Sequence, residues 1–182
     1  MRARLCLIGA SLLVLAGCAQ DPAADRPVLG PPEAVELPAA SAGGACAALD
    51  FAVVEQATGA RFDVSAASQV RQTHTCVLRS QETTQPELAL SVTRSSSDAQ
   101  GFKTDMVPQG AKAVSGLGKA AYRQTSAPAR GAGPAVEVGW LSNDGRLVIM
   151  RYTFPADQNP DDADAFAEKL VELAKKLDVR KV

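Results

Sequence analysis

Two runs of alternating apolar residues flank a tight-turn signal late in the chain. Val136, Val138 and Trp140 form one run, and Val148, Met150, Tyr152 and Phe154 the other, with Asn143-Asp144-Gly145 between them. Period-two alternation places every second side chain on one face of a pleated strand, so each run has one face to bury. Asp-Gly favours a hairpin turn because both residues tolerate positive φ. This feature constrains the fold most, because a lone hairpin is marginal in water and needs more strands or a helix against its apolar face. A helix is predicted directly after it, over about 160–178. Asn159 suits the N-cap, Pro160 the first helical position, and Asp161 and Asp162 the positive end of the helix dipole. Phe166, Leu170, Leu173 and Leu177 then recur at spacings of four, three and four, which makes one apolar stripe. Such a stripe packs on a sheet.

Further elements lie upstream. Thr73 to Ser80 reads as a strand with Cys76 and Leu78 turned inward. Pro86 to Arg94 reads as another, with Leu88, Leu90 and Val92 at period two, and Lys119 to Gln124 as a short third. Asp98 to Met106 is a short helix or a loop, closed by Pro108-Gln109-Gly110. A first helix is expected over Asp50 to Thr58, where Asp50 supplies the N-cap and Gly59 the residue of positive φ after the last turn. The order is helix, two strands, an irregular stretch, three strands, helix. The expected class is therefore α+β: an antiparallel sheet of about five strands with an N-terminal and a C-terminal helix packed on it. An apolar content of 46% can fill such a core. A net charge of −1 with only 4% aromatic residues is not the composition of a nucleic-acid binder.

The first eighteen residues carry an address. Arg2 and Arg4 form a basic start, and Leu5 to Leu15 is almost wholly apolar. That stretch matches the core of a secretory signal and falls short of the roughly 20 residues of a membrane-spanning helix. Leu15-Ala16-Gly17-Cys18 then resembles the bacterial lipobox, in which the cysteine after the cleavage point receives a diacylglycerol and becomes the mature N-terminus. The resemblance implies that residues 1–17 are a signal peptide and that Cys18 is lipidated, with palmitate-type acyl chains. Each buried methylene adds about 0.8 kcal/mol to membrane affinity, and two or three chains make the anchorage stable. Residues 18–44 are expected to comprise the lipidated cysteine and a disordered Pro/Ala-rich tether holding Pro22, Pro27, Pro31, Pro32 and Pro38, too many prolines for a helical or strand period. One globular domain is expected over 45–182.

Four cysteines are present. Cys6 leaves with the leader and Cys18 is the acyl acceptor, so Cys46 and Cys76 remain as a pair in an exported domain. They form a disulfide closing a loop of about 31 residues or stay as two reduced buried thiols; loop-closure entropy assigns such a disulfide about 3.7 kcal/mol. A zinc site is short of ligands, because His74 is the one histidine.

These features together resemble a family of actinobacterial cell-envelope lipoproteins of unknown function. They are the lipobox, the Pro/Ala linker, a cysteine before a short helix and a second cysteine on a strand. The run Gly116-Leu117-Gly118-Lys119-Ala120-Ala121-Tyr122, a hairpin and a C-terminal amphipathic helix complete the set. In many of its members the second cysteine is followed closely by Trp, whereas Val77 and Leu78 follow Cys76 here. The resemblance covers about 46–177 and implies a location and a disulfide, not a reaction.

Catalytic motifs find no frame. Gly116-x-Gly118-x-x-Ala121 mimics a dinucleotide fingerprint, yet Pro128 interrupts any helix after it and no strand-helix-strand unit surrounds it. The glycines are expected to serve positive φ or close backbone approach. Neither Gly-x-Ser-x-Gly nor Ser-x-x-Lys occurs. His74 stands two residues before Cys76, and oxidation of that cysteine would remove any Cys–His dyad. Asp161, Asp162 and Asp164 are explained as a helix start, not a calcium loop. Trp140 and Tyr152 are expected in the core.

The expected function is a non-catalytic interaction or accessory module of the cell envelope, not an enzyme, with no cofactor and no metal. It would be held at the extracytoplasmic face of the cell membrane by its lipid anchor, with an envelope protein as partner and no nucleic acid. The alternative is a carrier for a small apolar or lipidic ligand, enclosed between sheet and helices.

Overall fold

The computed structural model describes residues 37–182. The expected signal peptide 1–17, the expected acyl acceptor Cys18 and the expected tether as far as residue 36 lie outside the described residues.

Seven strands form one antiparallel sheet. They are β1 (Val64–Val70), β2 (Thr73–Arg79), β3 (Glu87–Arg94), β4 (Lys112–Val114), β5 (Ala120–Ser126), β6 (Ala135–Leu141) and β7 (Arg146–Thr153). Their order across the sheet is β1-β2-β3-β7-β6-β5-β4. The expectation of about five strands is thus corrected to seven, and the two additions are the edges. In β1, six of the seven residues are exposed, so Val-Ser-Ala-Ala-Ser-Gln-Val carries no core alternation to read. β4 has only three residues, too few to show a period.

The expected hairpin is β6–β7, closed around Ser142 to Gly145, with Gly145 at φ 78°. Val136, Val138, Trp140, Val148, Met150 and Tyr152 all face one side and are buried. Cys76 and Leu78 of β2 and Leu88, Leu90 and Val92 of β3 continue that front face, held in register by Cys76↔Leu90 and Leu90↔Met150.

Two helices cover this face. α1 (Phe51–Thr58) starts at Asp50, whose side chain accepts from the Val53 amide at 3.1 Å, and ends at Gly59 in the left-handed region. After the short α2 (Ala99–Gly101) and its π-helical turn Phe102–Met106, the third helix is α3 (Pro160–Lys176), whose cap is Asn159, accepting from the Asp161 amide at 3.0 Å. Phe166, Leu170 and Leu173 are buried against β5 and β6, while Leu177 caps the helix half-buried. Phe62, Tyr152, Phe154 and Phe166 meet as an aromatic cluster with ring centroids 4.4 to 6.4 Å apart. Full burial of side chains of the size of Leu170 or Met150 stabilises by about 1.5–3 kcal/mol each.

The packed structure takes in residues before Ala45, the boundary expected from the prolines. 3-10 turns span Ala39–Ala42 and Gly44–Ala48, and Ala39, Ala45 and Cys46 are buried. The tie is covalent. Cys46 and Cys76 form a disulfide, with Cα atoms 4.9 Å apart, which fastens the second turn onto β2.

The back face has its own small core at one end. α2 and its π-helical turn lie over β5 and β6, where Phe102 stacks on Tyr122 with centroids 6.0 Å apart. Ala120, Leu141 and Leu147 complete that cluster. Tyr122 lies across Gly139, its register partner, and a Cβ there would meet the ring at 2.4 Å.

Candidate functional site

The back face divides in two. Its β5–β6 end is covered by 99–107 and holds the buried Ala120, Tyr122 and Leu141, whereas Thr73, Thr75, Val77, Ala89, Ser91 and Thr93 of β2 and β3 are only half-buried and the back-facing residues of β1 are exposed. Alternation builds this open area from the residues that do not enter the core. Thr73, Thr75 and Val77 of β2 face Thr93, Ser91 and Ala89 of β3. Two cross-strand hydroxyl pairs result, Thr73 with Thr93 at 2.8 Å and Thr75 with Ser91 at 3.2 Å. Such pairs satisfy each other and leave a surface without charge between them, bordered by the ion pair of Arg79 and Glu87.

A polar cluster marks the boundary with the covered end. The Glu137 carboxylate accepts from the Tyr122 hydroxyl at 2.8 Å, from Gln124 Nε2 at 3.1 Å and from Arg151 Nη1 at 3.4 Å. Arg151 also reaches Ser126 Oγ at 3.3 Å. With three donors in place this carboxylate is an anchor for its neighbours. Burial, then the hydrogen bond and negative charge of Glu137, push the Tyr122 hydroxyl far above the ordinary tyrosine range. The arrangement holds its shape through these hydrogen bonds.

Tyr122 and Tyr152 are the two tyrosines of the chain, and burial pushes Tyr152 up to about 12 from 10.0. Both shifts favour the neutral phenol in the folded state. The stability they lend is therefore whole below pH 10 and is lost as the pH rises towards 12. Phenolate absorbance should stay flat through the ordinary tyrosine range and then rise together with unfolding; a midpoint near 10 in the folded protein would contradict the packing of both rings.

Charged grooves flank the sheet. One of about 470 Å³ runs beside α3 and is lined by Lys112, Arg123, Asp164 and Glu168, with Arg123 paired to Glu168 at 2.7 Å. Another, of about 200 Å³, gathers Arg71, His74, Arg94 and Arg146. There Arg146 is committed: its guanidinium donates to the Val182 oxygen at 2.9 and 3.0 Å and pairs with Asp144. A hydrogen bond from Ser142 holds the Asp144 carboxyl below its ordinary range, with Arg146 adding to the effect.

The residues singled out in the sequence scatter. Cys46 and Cys76 meet, as their disulfide requires. His74 is half-buried at the start of β2 and shares the front face with Cys76, which is oxidised. Trp140 and Tyr152 are core residues. Asp161, Asp162 and Asp164 sit in the first turns of α3, and no group of three or more metal-ligating side chains occurs among the described residues. Gly116 and Gly118 turn the chain at φ 73° and 61° into a strand, not a helix. The Glu137 cluster went unread because Tyr122, Gln124, Glu137 and Arg151 come from three strands; only the sheet register assembles them.

No helix among the described residues is long and apolar enough to cross a membrane. No family model matches the chain, and comparison with curated proteins and with solved structures finds no match either.

Proposed function

We propose that this chain is a lipid-anchored, extracytoplasmic, non-catalytic interaction module of the cell envelope. Cys18 carries the acyl chains, and the domain engages an envelope protein through the open half of its sheet. The observation that carries the reading is the asymmetry of the sheet. Helices fill its front face, while the back face across β2 and β3 keeps its side chains partly exposed and displays paired hydroxyls. Unlike a solvated face studded with charge, a surface whose polar groups are mutually paired loses little when a partner displaces water. The leader and Leu15-Ala16-Gly17-Cys18 support the location.

Other observations favour binding over chemistry and over an internal ligand. The Glu137 carboxylate is spent on three donors. The space between α3 and the sheet, where an apolar ligand would lodge, is taken up by Phe166, Leu170, Leu173 and Tyr152.

Photo-crosslinking in the native envelope tests this. A crosslinking side chain at Thr75 or Ser91 should give a discrete adduct that the same group at Lys169 or Glu172, on the outer surface of α3, does not give. Adducts from α3 alone, or from neither surface, would contradict the reading.

A further inference from the structure

We infer that the outer edge of β1 pairs with β1 of a second copy of this chain, joining two sheets about a two-fold axis through Ala67. This is independent of the open-face reading and rests on four observations.

First, the edge is unguarded. β1 ends the sheet, and among the described residues nothing pairs with its outer side. Natural edge strands are blunted by charge, proline, bulges or shortness. Val64–Val70 has no charged residue and no proline, and it runs in unbroken one-to-one register with β2 from Val64↔Arg79 to Val70↔Thr73. The opposite edge is guarded, since β4 has three residues and begins with Lys112.

Second, the strand is self-complementary. Antiparallel pairing centred on Ala67 sets Val64 against Val70 of the second copy, Ser65 against Gln69, and Ala66 against Ser68. A two-fold interface requires this, because the same patch must meet itself.

Third, the exposed apolar side chains fall where that pairing uses them. Val64 is 37% and Val70 70% exposed, and alternation puts both on the back face. The pairing brings one valine against the other at both ends of the interface. Val64 also lines a groove of about 300 Å³ with Leu37, Pro38 and Ala42, a seat beside which Val70 of the second copy arrives.

Fourth, the flanking charges complement. Arg71 lies in the turn directly after β1, at φ 55°, and Asp63, whose carboxylate also accepts from the Gln81 amide at 2.8 Å, directly before the strand, so the same register puts a cation of one copy and a carboxylate of the other at each end of the interface. A slip by one residue would lose both the valine and the charge pairs, so these ends fix a register that a Ser/Ala-rich strand alone would leave loose.

Sedimentation equilibrium on the full chain, in excess detergent micelles, tests the inference with four samples. Wild type should show reversible dimers. Because the area is that of one edge strand, the dissociation constant should be micromolar or weaker, about 1 µM to 1 mM. Val70→Lys places an ammonium against Val64 at both ends and should weaken dimers about tenfold. Val64→Glu alone should weaken them similarly. Mixing the Val70→Lys and Val64→Glu chains should restore association as a heterodimer, through a Lys–Glu pair at one end and Val–Val at the other. Both positions are exposed, so each variant keeps its core. Monomers at every concentration up to about 1 mM, or dimers that Val70→Lys does not weaken, would overturn the inference. So would failure of the mixture to associate better than either variant alone. Loss of dimers with the Thr75 and Ser91 adducts intact would separate this edge from the open face.

Discussion

Replacing Cys46 and Cys76 together by alanine should lower the unfolding free energy by about 3.7 kcal/mol, the loop-closure entropy of the segment they bound. That is a large share of the 5–15 kcal/mol, roughly, that holds a domain of this kind together. The loss should exceed what a remote crosslink would give, because both cysteines are fully buried and their sulfurs fill core volume. The bond also decides where the domain starts. It fastens the turn Gly44–Ala48 onto β2, and the neighbouring turn Ala39–Ala42 lies against β1, where Ser65 Oγ donates to the Ala39 carbonyl at 3.2 Å. Urea unfolding of the oxidised and double-alanine chains measures the difference. A loss under about 1 kcal/mol would mean that the turn docks without its covalent tie.

A second large effect is expected at Gly118. Its φ of 61° is costly for any residue with a side chain, and a Cβ there would stand 2.2 Å from the Leu141 carbonyl oxygen. That oxygen is fixed, since it accepts from the Lys119 amide at 2.8 Å, and the obstacle is backbone that cannot rotate away. Gly118→Ala should cost about 3 kcal/mol or more, from left-handed strain and overlap together. Gly116, two residues earlier, supplies the control. Its φ is 73°, but a Cβ there meets nothing within 4 Å. Gly116→Ala should cost only the strain, about 1 kcal/mol. Equal losses in thermal or urea unfolding would contradict the close approach of this loop to β6.

These two sites show how far the sequence could be read. Where a residue's role is local, its pattern declares it. Asp50 and Asn159 cap helices, Gly59 ends one, and Val148, Met150 and Tyr152 alternate into the core. Gly116 and Gly118 were expected to serve backbone geometry, but only the structure separates the one that turns in open space from the one pressed on a carbonyl. Where a role depends on register between distant strands, the pattern is silent. Nothing in Tyr122 and Glu137 taken singly foretells their hydrogen bond, and Gly139 looks like a weak strand residue until Tyr122 is seen to lie across it. The edge strands escaped for a different reason. β1 buries almost nothing, so the periodicity that betrays a core strand is absent. The same plainness makes its edge available for pairing.

The site was the less legible part. Open faces are defined by what fails to cover them, and Thr73, Thr75, Ser91 and Thr93 become one surface only when β2 and β3 align. The resemblance of Leu15-Ala16-Gly17-Cys18 to a lipobox rests on four contiguous residues and needs no fold to be read.

The most direct test of the account is the intact mass of the mature protein extracted from its native envelope. A chain beginning at Cys18, heavier by its acyl chains and two hydrogens lighter than the reduced form, is the predicted result. A chain that keeps residues 1–17, or begins at Cys18 without acyl mass, would contradict the claim that this domain works from a lipid anchor at the membrane surface.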